Sequence, residues 1–150
     1  MTPPRRRRVL WVDHVTRILG GAEVNLVELL ASPNPMPWES TVACDPRGRL
    51  HGALESHPVA RHAYGFADTL GTLRIVGSRF PLLGILRSLR ALARARHDLH
   101  HLLHRERPDV VVSCTNKDHF AAWPACRRLG IPSVWWVNDI LSAEFFPWPA

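Results

Sequence analysis

The sequence has no long apolar run. Its hydrophobic stretches, of which residues 110–112 and 134–137 are typical, fall far short of the roughly 20 residues needed to cross a bilayer. A transmembrane chain is excluded on that ground. Cysteine is sparse: Cys44, Cys114 and Cys126 form neither a CxxC pair nor a metal set with spaced histidines. An odd, scattered trio of this kind reads as reduced cytoplasmic thiols, not as a disulfide framework. The dinucleotide fingerprint GxGxxG is missing, the HExxH arrangement of metalloproteases is missing, and no nucleophilic triad can be assembled. An exported protein is not indicated either, because the apolar stretch 9–12 breaks at Asp13, well short of the about 7–15 residues of a secretory core.

What is present is a chain able to fold. Its 150 residues are 46% hydrophobic and 21% charged, enough for one domain that buries about two-thirds of its unfolded surface without disulfide or metal. The formal charge is +6, and such an excess attracts polyanions. Four of those charges are the run Arg5 to Arg8, which precedes the first strand and is expected to form a flexible basic arm over residues 1–8. The folded body, 9–150, is then much less basic than the total, and nucleic acid is discounted as a partner.

Residues 9–12 form a compact apolar run without alternation, as in a strand buried on both faces. Gly20-Gly21 then opens a helix over 22–31, with Val24, Val27 and Leu30 on one face and Leu26 beside them. Prolines 33, 35 and 37 end it, and 40–44 resumes a strand that stops at the turn residues 45–48. The stretch 50–80 is the least informative, with one short strand over 59–63. Leucines spaced by three and four predict a long amphipathic helix over 82–105. Beyond it come strands at 110–114 and 133–137 and a helix over 118–129 closed by Gly130. Pro124 inside that helix should kink it or make it start later. Strands alternating with helices predict an α/β, Rossmann-like, doubly wound and mainly parallel sheet.

Ligands of such a sheet bind beyond the carboxyl ends of its strands. That rule selects Asp13 and His14 after the first strand, Asn116 after the fourth and Asp139 after the last as candidates to line a cleft. Gly20 and Gly21 lead into a helix N-terminus, where free amides and the macrodipole suit an anion such as a diphosphate; the alternative is a turn with no ligand. His119, beside Asn116 and Lys117, reads better as part of a helix start capped by Asp118 than as a site residue. His97 and His101, like His100 and His104, lie a turn apart, but no carboxylate in the HExxH arrangement accompanies them, so they read as a solvated face. With Arg87, Arg90, Arg94 and Arg96 the same helix could lie on an anionic membrane.

Taken in order, Arg8-Val-Leu-Trp-Val, Gly20-Gly-Ala-Glu, Arg107-Pro-Asp-Val-Val and Leu129-Gly-Ile-Pro-Ser-Val-Trp-Trp-Val-Asn-Asp resemble the N-terminal domain of family-4-like glycosyltransferases of the two-domain GT-B architecture. The resemblance implies transfer of a sugar from a nucleotide-sugar donor with retained anomeric configuration, without an obligatory metal or cofactor. It implies that this domain holds the acceptor, a glycan, a lipid-linked molecule or a small molecule, and that Gly20 and Gly21 lie near the donor diphosphate. The family's donor-binding glutamate pair, with seven residues between the two, occurs nowhere here. A further domain, in cis or in trans, would supply it, and the chain by itself should be inactive. The implied location is cytoplasmic, with peripheral contact to the inner face of the membrane. The competing reading is a non-catalytic basic α/β module that binds anionic membrane or nucleic acid, or one chain of a split enzyme.

Overall fold

The computed structural model describes residues 5–15, 20–33, 36–65 and 82–137, with backbone alone for residues 82–85 and 88. Among the described residues nine elements follow one another: β1 (Arg7–Asp13), α1 (Gly21–Ala31), β2 (Trp38–Cys44), α2 (Arg49–Ala53), β3 (Ala60–Ala63), α3 (Leu82–Glu106), β4 (Val110–Ser113), α4 (Asn116–Leu129) and β5 (Ser133–Trp135). The five strands form one all-parallel sheet in the order β3-β2-β1-β4-β5. The expected α/β class is therefore the observed one. The apolar runs become the inner strands because both faces of the sheet are covered. Leu10, Val12 and Val111 face α3 and α4, while Val9, Trp11, Val42 and Val112 face the side packed by Leu26 of α1 and Leu50 of α2.

Several expectations are corrected. The arm does not extend to residue 8, because β1 begins at Arg7. Asp109 anchors that end: its carboxylate accepts from the Arg8 amide at 2.7 Å and its own amide donates to the Arg8 carbonyl at 2.8 Å. On α1 the inward face is set by Glu23 and Leu26, both buried, which turns Val24 outward to 42% exposure. The short helix α2 was not foreseen; five residues carry too little periodicity to announce it.

Helix α4 starts at Asn116 and runs through Pro124. Proline has no N–H to give the carbonyl four residues back, and that carbonyl, of Phe120, instead accepts from Arg96 Nη2 of α3 at 3.2 Å. Gly130 closes the helix in the left-handed conformation, φ 67°, where a side chain would be strained. Among the described side chains of α3, Ala95, Leu99, Leu102 and Leu103 are buried and Leu92 packs against them, whereas Leu86 and Leu89 remain more than half exposed.

Candidate functional site

The carboxyl ends of β1 and β4 lie side by side, Val12 opposite Ser113, so the residues that follow each strand meet. The turn after β1 is built by Asp13, whose Oδ1 accepts from the Val15 amide at 2.8 Å. The turn after β4 is a helix start: Thr115 is the N-cap of α4, its hydroxyl oxygen accepting from the Asp118 amide at 3.3 Å. Asp118 is thus not the cap that the sequence suggested. Its side chain is released to reach across the cleft.

Asp118 is fully buried and organises what surrounds it. Oδ2 accepts from the Thr115 hydroxyl at 2.7 Å and from the His14 amide at 3.2 Å, and it faces His14 Nδ1 at 3.0 Å. Oδ1 accepts from the Tyr64 hydroxyl at 3.1 Å. Burial first, and then the neighbouring Asp118, push the Tyr64 hydroxyl well above its ordinary value, so Tyr64 stays a donor. One carboxylate therefore joins the segments after β1, β3 and β4 into a single cluster.

Asp13 completes it with the opposite electrostatic character. It too is fully buried, and its Oδ2 has no hydrogen-bond partner among the described residues. Burial, followed by the charge of Asp118, raises its carboxyl from 3.8 to about 7. Cys44 responds in the same direction, to about 11, through burial and Asp13, and Cys114 is raised further, through burial, Asp13 and Asp118. Both are thiols at neutral pH, packed as small apolar groups and not nucleophiles.

Gly20 and Gly21 sit at the start of α1 as expected, but the Gly20 amide donates to Glu23 Oε2. This is half of a capping box, and it places a carboxylate at the helix end where a ligand anion would be drawn. Gly21 is exposed, with open space where a Cβ would stand. At the end of β2, buried Asp45 opposes burial with bonds from Arg47, through the amide at 2.8 Å and the guanidinium at 3.2 Å, and its carboxyl is held below the ordinary value. His119 stacks on Trp135, centroids 5.0 Å apart and 14° from parallel, and burial lowers its pKa.

Of the residues selected from sequence, the structure brings Asp13 and His14 into the cluster. Asn116 is the first residue of α4, half-buried one position past the cap, with its side chain in none of the cluster's bonds described above. Asp139 lies outside the described residues. Asp118, Thr115 and Tyr64 were missed as functional candidates. The pattern Thr115-Asn-Lys-Asp118 is a helix-start signature, and it did signal a fixed acidic side chain at the strand end. Ligand atoms of Asp13, His14 and Asp118 lie within 4.8 Å of one another, near enough to consider a cation. Both Asp118 oxygens also accept hydrogen bonds within the cluster.

Neither a family model nor a curated protein matches the chain. Solved structures do. CalG4, the calicheamicin glycosyltransferase, superposes with a TM-score of 0.61 at 16% identity, over 95% of this chain and 35% of its own. HepE of Anabaena, solved in complex with UDP and glucose, gives 0.59 at 23% identity over 94% and 32%. MurG of Acinetobacter baumannii gives 0.58 at 14% over 86% and 34%. The chain thus has the α/β domain fold of GT-B glycosyltransferases, the architecture its sequence resembles. It spans about a third of the length of these structures.

Proposed function

We propose that this chain is the acceptor-side domain of a glycosyltransferase that moves a sugar from a nucleotide-sugar donor to a hydroxyl of a glycan, glycolipid or small molecule. The observation that carries the reading is the contact of His14 Nδ1 with Asp118 Oδ2 at 3.0 Å, at the carboxyl end of the sheet. A carboxylate on Nδ1 fixes the imidazole's tautomer and orientation. Nε2 is then the nitrogen that receives the acceptor hydroxyl's hydrogen bond.

In the transfer, the acceptor oxygen forms a bond to the anomeric carbon while the bond from that carbon to the diphosphate breaks. The hydroxyl proton goes to His14 in a direct displacement, which inverts the anomeric carbon, with Asp118 stabilising the imidazolium. In the retaining course that the resemblance implies, the departing diphosphate takes the proton and His14 orients the hydroxyl. In this reading the amide of Gly21, at the positive end of α1, would meet the diphosphate as its charge develops. The donor half of the site would come from a further domain, in cis or in trans.

The test is transfer by the complete enzyme with UDP-glucose, with His14→Gln and Asp118→Asn compared with the parent and the product's anomeric configuration read by NMR. Loss of transfer in both variants supports the reading. Parental rates in both overturn it. Inversion makes His14 the base, and retention makes it the orienting group.

A second reading has its own observation. Leu86 and Leu89 of α3 are 54% and 57% exposed, beside the exposed Arg87 and Arg90. An apolar edge with flanking cations suits an anionic membrane surface, where a lipid-linked acceptor would be met.

A further inference from the structure

The His14–Asp118 pair does not stand alone, since a second buried carboxylate adjoins it. Asp13 precedes His14 directly, has no solvent exposure, and carries an oxygen, Oδ2, with no hydrogen-bond partner among the described residues. Its other oxygen is tied to the Val15 amide, so the side chain cannot swing away without breaking its own turn. The groups bearing on it from the surrounding elements are His14 on its own strand end, Asp118 on α4, Glu23 on α1, Cys44 on β2, Cys114 on β4 and Tyr64 after β3. Among the described residues, His14 is the one member of this set able to carry positive charge.

Two ionised carboxylates at this spacing, both out of water, would pull the imidazole into its protonated form. A protonated imidazole has no lone pair left and could not accept a hydrogen bond from a hydroxyl. We propose that Asp13 is a positioning residue for His14: it holds the proton that the cluster keeps at neutral pH, so that Asp118 alone faces the ring as an anion and the imidazole stays neutral. The inference rests on the assignment of His14 as the group that meets the acceptor hydroxyl, and it adds a third member to that pair. The raised carboxyl of Asp13 described above agrees with the geometry.

The experiment is a pH titration of the His14 ring by NMR on this chain, with the signal assigned by its disappearance in His14→Gln. Interacting sites titrate as a pair, so the parental curve should be broader than one site allows. Asp13→Asn, a permanently neutral counterpart of protonated Asp13, should give a single step at lower pH. A one-step parental curve overturns the proposal, even if the variant does not fold. So does an Asp13→Asn curve that superposes on the parental one. Repeating the parental titration with added magnesium or zinc should leave it unchanged; a curve displaced by either cation overturns the proposal in favour of a metal site. No outcome depends on sugar transfer, so failure here and failure of the glycosyltransferase reading are separable.

Discussion

The Tyr64 hydroxyl donates to Asp118 Oδ1 at 3.1 Å across 54 positions of sequence, with both groups buried. The bond ties the segment after β3, at one edge of the sheet, to the helix that follows β4. Tyr64→Phe removes one donor and leaves a buried carboxylate oxygen short of a partner. The expected loss is about 1–3 kcal/mol, read as a lowered urea midpoint with an unchanged slope. An unaltered midpoint would show that solvent replaces the tyrosine.

Replacing either member of the His14–Asp118 pair should lower turnover of the complete enzyme by roughly 10²–10⁴-fold, the usual contribution of a positioned acid-base group. In Asp118→Asn the fall should appear in kcat more than in KM, since the ring remains but its orientation is lost. Steady-state kinetics with varied acceptor separates the two. A rise in KM alone would reduce the pair to acceptor binding.

Asp13 makes stability depend on pH in a direction opposite to that of an ion-paired aspartate. Its folded carboxyl, at about 7, lies above the ordinary 3.8, so between these values the folded state binds the extra proton. Stability from this group therefore falls as pH rises through that window, and the penalty is complete above it. Asp13→Asn removes the dependence. Relative to the parent, the variant should gain stability progressively over the window, in total on the order of a few kcal/mol, and then level off. Urea melts of both proteins across the window test this; parallel curves would sink it.

The two glycines should behave differently. A Cβ on Gly20 would stand 2.9 Å from Glu23 Oε2, so Gly20→Ala displaces the carboxylate that caps α1 and should cost about 0.5–2 kcal/mol. Gly21 has open space around it, and Gly21→Trp should leave the melting temperature nearly unchanged while collapsing turnover of the complete enzyme. Unchanged turnover would remove Gly21 from the diphosphate site.

If α3 rests on a membrane, Leu86→Ser with Leu89→Ser should weaken sedimentation with vesicles containing anionic lipid without lowering the melting temperature, because both leucines are more than half exposed. Equal sedimentation of parent and variant would leave the exposed edge without that role.

Much of the fold was legible from sequence because buried parallel strands are unbroken apolar runs, as in the strand over Val9 to Val12 and the one over Val110 to Val112. Local pattern also placed Gly130 and the long helix α3. It misjudged α1, since the inward direction of Glu23 depends on the Gly20 amide and on what α1 packs against. It could not foresee how Pro124 is accommodated, because the group that answers the Phe120 carbonyl, Arg96, comes from another helix.

The same division runs through the site. The sequence by itself determined the sheet, its strand ends, and hence the candidacy of Asp13 and His14, because strand ends and their polar turns are local features. Tertiary structure decided that Asp118, 104 positions from His14, turns from its own helix start to hold that ring, and that Asp13 is sealed from water beside it. Hydrogen bonding and desolvation depend on distance in space. For these residues that distance is fixed by the parallel pairing of β1 with β4, which no neighbouring stretch of sequence contains.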